Sequence, residues 1–118
     1  MSSRPRVAIK TLGCKLNQYE SEQIREDFER LGFAVVDFGQ PAEVHVINSC
    51  TVTHRTERDL RRLARGVRRL QPQALIVVTG CSAQVSPEAV GALDAVDLVI
   101  SNDQKPQLAA RAAEHLAH

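Results

Sequence analysis

The sequence predicts an α/β fold: an open parallel five-stranded sheet with helices on both faces, in the flavodoxin-like order 2-1-3-4-5. Two observations carry that expectation. Short apolar runs alternate along the chain with amphipathic stretches. Strand-like runs are followed by helix-like runs over and over, the pattern of a parallel sheet wrapped on both faces.

Residues 6–12 read as the first strand, and Asn17 opens a helix reaching about Leu31. Asn17 and Glu20 form a capping pair, Glu20 and Glu22 suit the positive end of the helix dipole, and Gly32 stops the helix. Ile24, Phe28 and Leu31 share one face at i, i+4, i+7. Phe33-Ala34-Val35-Val36 is a short second strand, with Pro41 in the loop after it. Residues 44–48 are the third strand. A long helix follows from about Thr53 to Leu70, with Leu60, Leu63, Ala64, Val67 and Leu70 as its apolar stripe and Pro72 just past its end. Residues 74–79, the most apolar run, are expected to be central. Ser86-Pro87-Glu88 reads as a helix start, with proline in the first turn. Leu98-Val99-Ile100 is the fifth strand, and a last helix carrying Leu108, Ala109, Ala112 and Leu116 runs from about Lys105.

At 118 residues the chain is one domain with room for a real core. No apolar stretch approaches bilayer-spanning length, and Met1-Ser2-Ser3-Arg4-Pro5-Arg6 leads straight into a strand without an apolar signal region. Cytoplasmic location is the expectation. Three widely spaced cysteines argue against a secreted disulfide framework. The aromatics number only Tyr19, Phe28, Phe33 and Phe38, too few for a base-stacking platform.

The cysteines are the chief functional signal. Cys14, Cys50 and Cys81 each stand just after a strand, at the start of a loop. In the order 2-1-3-4-5 the first, third and fourth strands are adjacent, so the outer two of these lie only about 10 Å apart. All three thiols then gather at the carboxyl rim of the sheet, where open α/β sheets bind ligands. A single free cysteine is often a small buried hydrophobe; three at equivalent positions fit that description poorly. The chain has no C-x-x-C redox pair and no G-x-G-x-x-G or Walker pattern, and the spacing from Cys50 to Arg55 is one residue short of a C-x(5)-R phosphate loop. Zinc held by three thiolates with His54 as fourth ligand stays open. An iron–sulfur cluster fits best, since its ligands are thiolates and three of them leave one iron of a four-iron cluster without a protein ligand.

Three segments resemble the amino-terminal domain of the radical-SAM methylthiotransferases: Thr11-Leu12-Gly13-Cys14-Lys15-Leu16-Asn17-Gln18-Tyr19-Glu20-Ser21-Glu22, Asn48-Ser49-Cys50-Thr51-Val52-Thr53 and Thr79-Gly80-Cys81-Ser82-Ala83-Gln84. In form they are most similar to the bacterial members that modify threonylcarbamoyladenosine in tRNA. The resemblance runs from residue 6 to about 102 and implies that Cys14, Cys50 and Cys81 hold an auxiliary 4Fe-4S cluster used in sulfur insertion. Asn17 and Thr51 are then neighbours placed to orient its ligands. S-adenosylmethionine is cleaved in that family by a second cluster on a C-x-x-x-C-x-x-C motif in a following barrel domain. No such motif occurs here. The resemblance therefore divides the chain into a cluster-binding domain, 1–102, and a terminal helix, 103–118, leading toward a radical-SAM domain and an RNA-binding domain. The fragment alone is not expected to be catalytic.

Seven of the 15 basic residues lie between Arg55 and Arg69, opposed there only by Glu57 and Asp59. Arg61, Arg65 and Arg68 are candidate contacts to tRNA phosphates. A solvated helix face with extended arginine stems, or a docking surface for a missing domain, accounts for the same pattern. The rival to the cluster reading is a zinc-stabilised or metal-free α/β binding module that works through this arginine surface.

Overall fold

A computed structural model describes residues 5–12, 15–49, 54–80, 95–100 and 102–117. Its elements are β1 (Arg6–Leu12), α1 (Lys15–Arg30), β2 (Ala34–Val36), β3 (Val44–Ser49), α2 (His54–Leu70), β4 (Leu75–Gly80), β5 (Leu98–Ile100), a 3-10 turn (Asn102–Gln107) and α3 (Leu108–Ala117). All strand pairs are parallel and the order is β2-β1-β3-β4-β5, as the sequence predicts. β4 is an interior strand flanked by β3 and β5, and like β3 in the middle of the sheet it is buried along all six residues. Equal burial on both sides makes the two strands hard to rank by apolarity alone. The helix start expected at Ser86-Pro87-Glu88 lies outside the described residues.

Strand alternation sorts the side chains into two cores. Val7, Val44, Val46, Leu75 and Val77 face Ile24 and Phe28 of α1 and Leu108, Ala109 and Ala112 of α3. Ile47, Ile76 and Val78 face Leu60, Ala64 and Val67 of α2 on the other side. The last helix is thus part of the packed body, and Leu116 lies against its core.

Two apolar assignments fail at helix ends. Leu31 is 49% and Leu70 75% exposed, because each continues the 3.6-residue stripe just where the backbone leaves the helix. At the end of α1 the Phe33 amide donates to the Phe28 carbonyl at 3.0 Å, and the Gly32 amide donates to the Glu29 carbonyl at 3.0 Å. This is a Schellman closure. It needs Gly32 at φ 91°, and it brings the Phe33 ring edge-on to Phe28 with centroids 4.9 Å apart. At the other end the helix starts at Lys15, so Asn17 lies inside its first turn and is not the cap. The run Lys15-Leu16 has no residue that opposes helix, and Asn17 alone does not displace the start.

Candidate metal centre at the carboxyl rim

The carboxyl ends of β1, β3 and β4 are level. Leu12 pairs with Ser49, and Ser49 pairs with Gly80. Cys50 and Cys81 follow the last two of these directly, and Cys14 comes two residues after Leu12. The three cysteines themselves, with Thr51 and the side chain of Asn17, lie outside the described residues. The described strand ends that precede them, Leu12, Ser49 and Gly80, stand in one row whose members are roughly 4.8 Å apart.

Gly80 sets the shape of this rim. Its φ is +109°, and a Cβ there would stand 2.0 Å from the Ser49 carbonyl oxygen and 2.9 Å from Asn48 Oδ1. Only glycine lets β3 and β4 close at the point where the chain turns toward Cys81.

One residue below the rim, Thr11, Asn48 and Thr79 pair across β1, β3 and β4. Each occupies the parity that carries valine or leucine lower in its strand. A polar row, half-buried at Thr11 and buried at Asn48 and Thr79, therefore replaces the apolar core just beneath the strand ends. Thr11 Oγ1 lies 2.7 Å from Ser21 Oγ of α1, and Asn48 Nδ2 donates to the same Ser21 oxygen at 3.1 Å. Ser21 accepts from Asn48 and is thus free to donate its hydroxyl proton to Thr11. Asn48 and Thr79 are fully buried, and Thr79 Oγ1 has no hydrogen-bond partner among the described residues. A buried orphan hydroxyl is costly, and this one stands two residues before Cys81. The donor chemistry fits an iron–sulfur centre: thiolates as ligands, with a hydroxyl donor close by in sequence.

Asn17 and Thr51 were the sequence's choices for supporting polar groups, and the described rim adds Thr11, Ser21, Asn48 and Thr79. Their signal was present in the sequence. In Val44-His45-Val46-Ile47-Asn48 and Leu75-Ile76-Val77-Val78-Thr79 the core-facing parity changes from aliphatic to polar at the last position.

The structure divides the candidate arginines. Arg68 is taken up by the fold: its guanidinium donates to the carbonyls of Pro72 and Ala74 at 2.8 Å each and of Ala95 at 3.1 Å, and pairs with Asp97. The same Asp97 oxygen accepts the Ile76 amide at 2.9 Å. Arg68 therefore ties α2 to the amino ends of β4 and β5, away from the cysteine rim. Its guanidinium is thus engaged within the fold, unlike the exposed arginines beside it. Arg61 and Arg65 are exposed, and with Arg58, Arg62, Gly66 and Arg69 they line a shallow surface groove.

The sequence model described as "Uncharacterized protein family UPF0004" matches residues 6–101. The chain belongs to this family. It is 40% identical to threonylcarbamoyladenosine tRNA methylthiotransferase MtaB of Aquifex aeolicus (strain VF5), over 94% of this chain and 27% of that protein. The corresponding protein of Bacillus subtilis (strain 168) is 42% identical over 86% of this chain and 23% of its own length. The chain thus spans about a quarter of the length of the curated relatives it matches. Among solved structures, the BeF3-activated DrrB receiver domain superposes with a TM-score of 0.73 at 14% identity, covering 98% of this chain and all of that one. That likeness is one of fold, a five-stranded parallel sheet wrapped by helices. No helix among the described residues is long and apolar enough to cross a membrane.

Proposed function

We propose that this UPF0004 chain is the cluster-holding domain of a tRNA methylthiotransferase, with Cys14, Cys50 and Cys81 as the three protein ligands of a 4Fe-4S cluster. The observation that carries this reading is the level row Leu12, Ser49 and Gly80, each within two residues of one of the chain's three cysteines. Bound there, the cluster would supply an iron with no protein ligand, a coordination position open to the sulfur that is transferred. The chain's own contribution is to hold three thiolates at one rim, with the Thr11–Ser21–Asn48 hydrogen bonds bracing the strand ends beneath them. Thr79 offers a hydroxyl to whatever acceptor the rim presents.

The names of the relatives support threonylcarbamoyladenosine in tRNA as the substrate of the whole enzyme. S-adenosylmethionine belongs in this reading to a radical-SAM domain further along the same protein, toward which residues 103–118 lead, and the setting is cytoplasmic. Anaerobic reconstitution of the 118-residue chain with iron and sulfide tests the proposal. A brown protein with broad visible absorption, lost in Cys50→Ala, is the expected result. A colourless protein that takes up one zinc per chain would overturn it in favour of a zinc-stabilised module.

A further inference from the structure

Helix α2 concentrates the charge of the whole molecule. Between His54 and Leu70 it carries seven arginines against Glu57 and Asp59, a net of +5, while the chain as a whole is +1. The remainder is therefore −4. Once Arg68 is assigned to the fold, Arg58, Arg61, Arg62, Arg65 and Arg69 remain on the exposed side. Among the described residues, Arg58, Arg62, Arg65 and Arg69 pair with no carboxylate. These four follow one line at spacings of four, three and four residues, which spans about 16 Å at roughly 5.4 Å per turn. That interval is close to the spacing of successive phosphates on an extended nucleic-acid strand.

A second observation concerns Gly66, in the middle of the same groove. Glycine inside a helix is unfavourable relative to alanine. Its usual reasons are missing here: φ is not positive, and a Cβ at this position would meet nothing within 4 Å. The fold does not require glycine at 66. What glycine provides is bare backbone on the floor of a groove walled by arginines, where an outside chain can approach closely.

We infer that the groove on α2 formed by Arg58, Arg62, Arg65 and Arg69 around Gly66 seats the phosphate backbone of an RNA strand. This deepens the tRNA reading above and rests on it. The groove reads charge and spacing, not bases, since the chain offers no aromatic platform there. Its direction matters too. The amino end of α2 follows β3 out of the carboxyl rim, so a strand lying along the groove runs toward the cysteine loops.

Fluorescence anisotropy of the metal-free, reduced chain with a labelled anticodon stem-loop RNA tests the inference. Four phosphate contacts to a single strand predict a slope of log affinity on log salt of about −3, or about an eightfold loss for every doubling of salt. Replacing the four arginines with glutamine should weaken binding at least about tenfold and flatten that slope, whereas the lysine quadruple keeps it. Arg25→Gln, Arg30→Gln and Arg111→Gln together should change little. Gly66→Ala separates seat from scaffold: it should raise the melting temperature by a few degrees, about what removing a mid-helix glycine gives, and yet weaken RNA binding. Equal losses in the two glutamine sets, or unimpaired binding by Gly66→Ala, would overturn the inference. So would a wild-type chain that ignores RNA but binds a separately expressed barrel domain in a salt-dependent way. Iron uptake is measured independently, so failure here leaves the cluster proposal standing, and the reverse.

Discussion

Gly80 concentrates the logic of the rim in one residue. The sequence offers it as one of six glycines, and only the coordinates show that its missing Cβ is occupied space. Alanine there must either push the Ser49 carbonyl away or abandon a φ of +109°. The expected cost is at least about 2 kcal/mol, read as a lower urea midpoint at unchanged m. Because the displacement falls between the stems of Cys50 and Cys81, Gly80→Ala should also lower iron incorporation in whatever fraction still folds. By contrast, Thr79 and Asn48 were legible beforehand as polar residues on the core parity of their strands. What the sequence could not show is that Asn48 meets Ser21 of α1, 27 residues away in the chain, and that Thr79 stands beside it in β4.

At the scale of elements, α2 does two jobs on two faces. Leu60, Ala64 and Val67 bury it against the sheet, and Arg68 fastens its last turn to the segments that enter β4 and β5. The periodicity of the arginines did not separate Arg68 from Arg65, since both lie off the apolar stripe. The acceptors decide it: three carbonyls and one carboxylate converge on Arg68 from loops that the sequence does not place. Arg68→Ala leaves those acceptors unpaired and should cost about 2–3 kcal/mol. Arg65→Ala should change stability by no more than about 0.5 kcal/mol. Thermal denaturation of the two variants side by side checks the division, and equal losses would remove it. The boundaries of α1 and α2 show where pattern reading stops. Leu31, just past the end of α1, and Leu70, the last residue of α2, keep the helical period where the chain turns away, and their exposure records that change of direction.

For the whole molecule, the buried His45 makes stability depend on pH. It is fully buried in β3, edge-on to Phe38 with ring centroids 5.6 Å apart, and neither ring nitrogen has a hydrogen-bond partner among the described residues. Burial holds its imidazole below the ordinary value, against a weaker opposing pull from Gln71. The polar atoms of Gln71 are spent on the Ala42 amide and the Gln40 carbonyl. A depressed folded-state pKa means that the unfolded chain binds the proton first. The contribution is complete above the unfolded value near 6.5 and is lost as pH falls below it, by up to about 1.4 kcal/mol per pH unit. Unfolding measured between pH 5 and 7.5 should show this slope, and His45→Phe should flatten it in that window. Glu43 responds lower down. Its carboxyl is held below the usual range chiefly by the hydrogen bond from the Arg6 side chain, so that support is lost only as pH drops through the acid range.

The sequence by itself determined the strand and helix order, the sheet topology and the placement of every cysteine after a strand. These follow from local periodicity and from the handedness of parallel crossovers, which neighbouring residues already encode. The tertiary structure decided register and acceptor geometry. It levelled Leu12, Ser49 and Gly80, joined Thr11 and Asn48 through Ser21, and withdrew Arg68 from the exposed arginines. Those are contacts between different elements, several of them distant in the chain, fixed by how two cores pack on opposite faces of one sheet, and no single periodic pattern carries them.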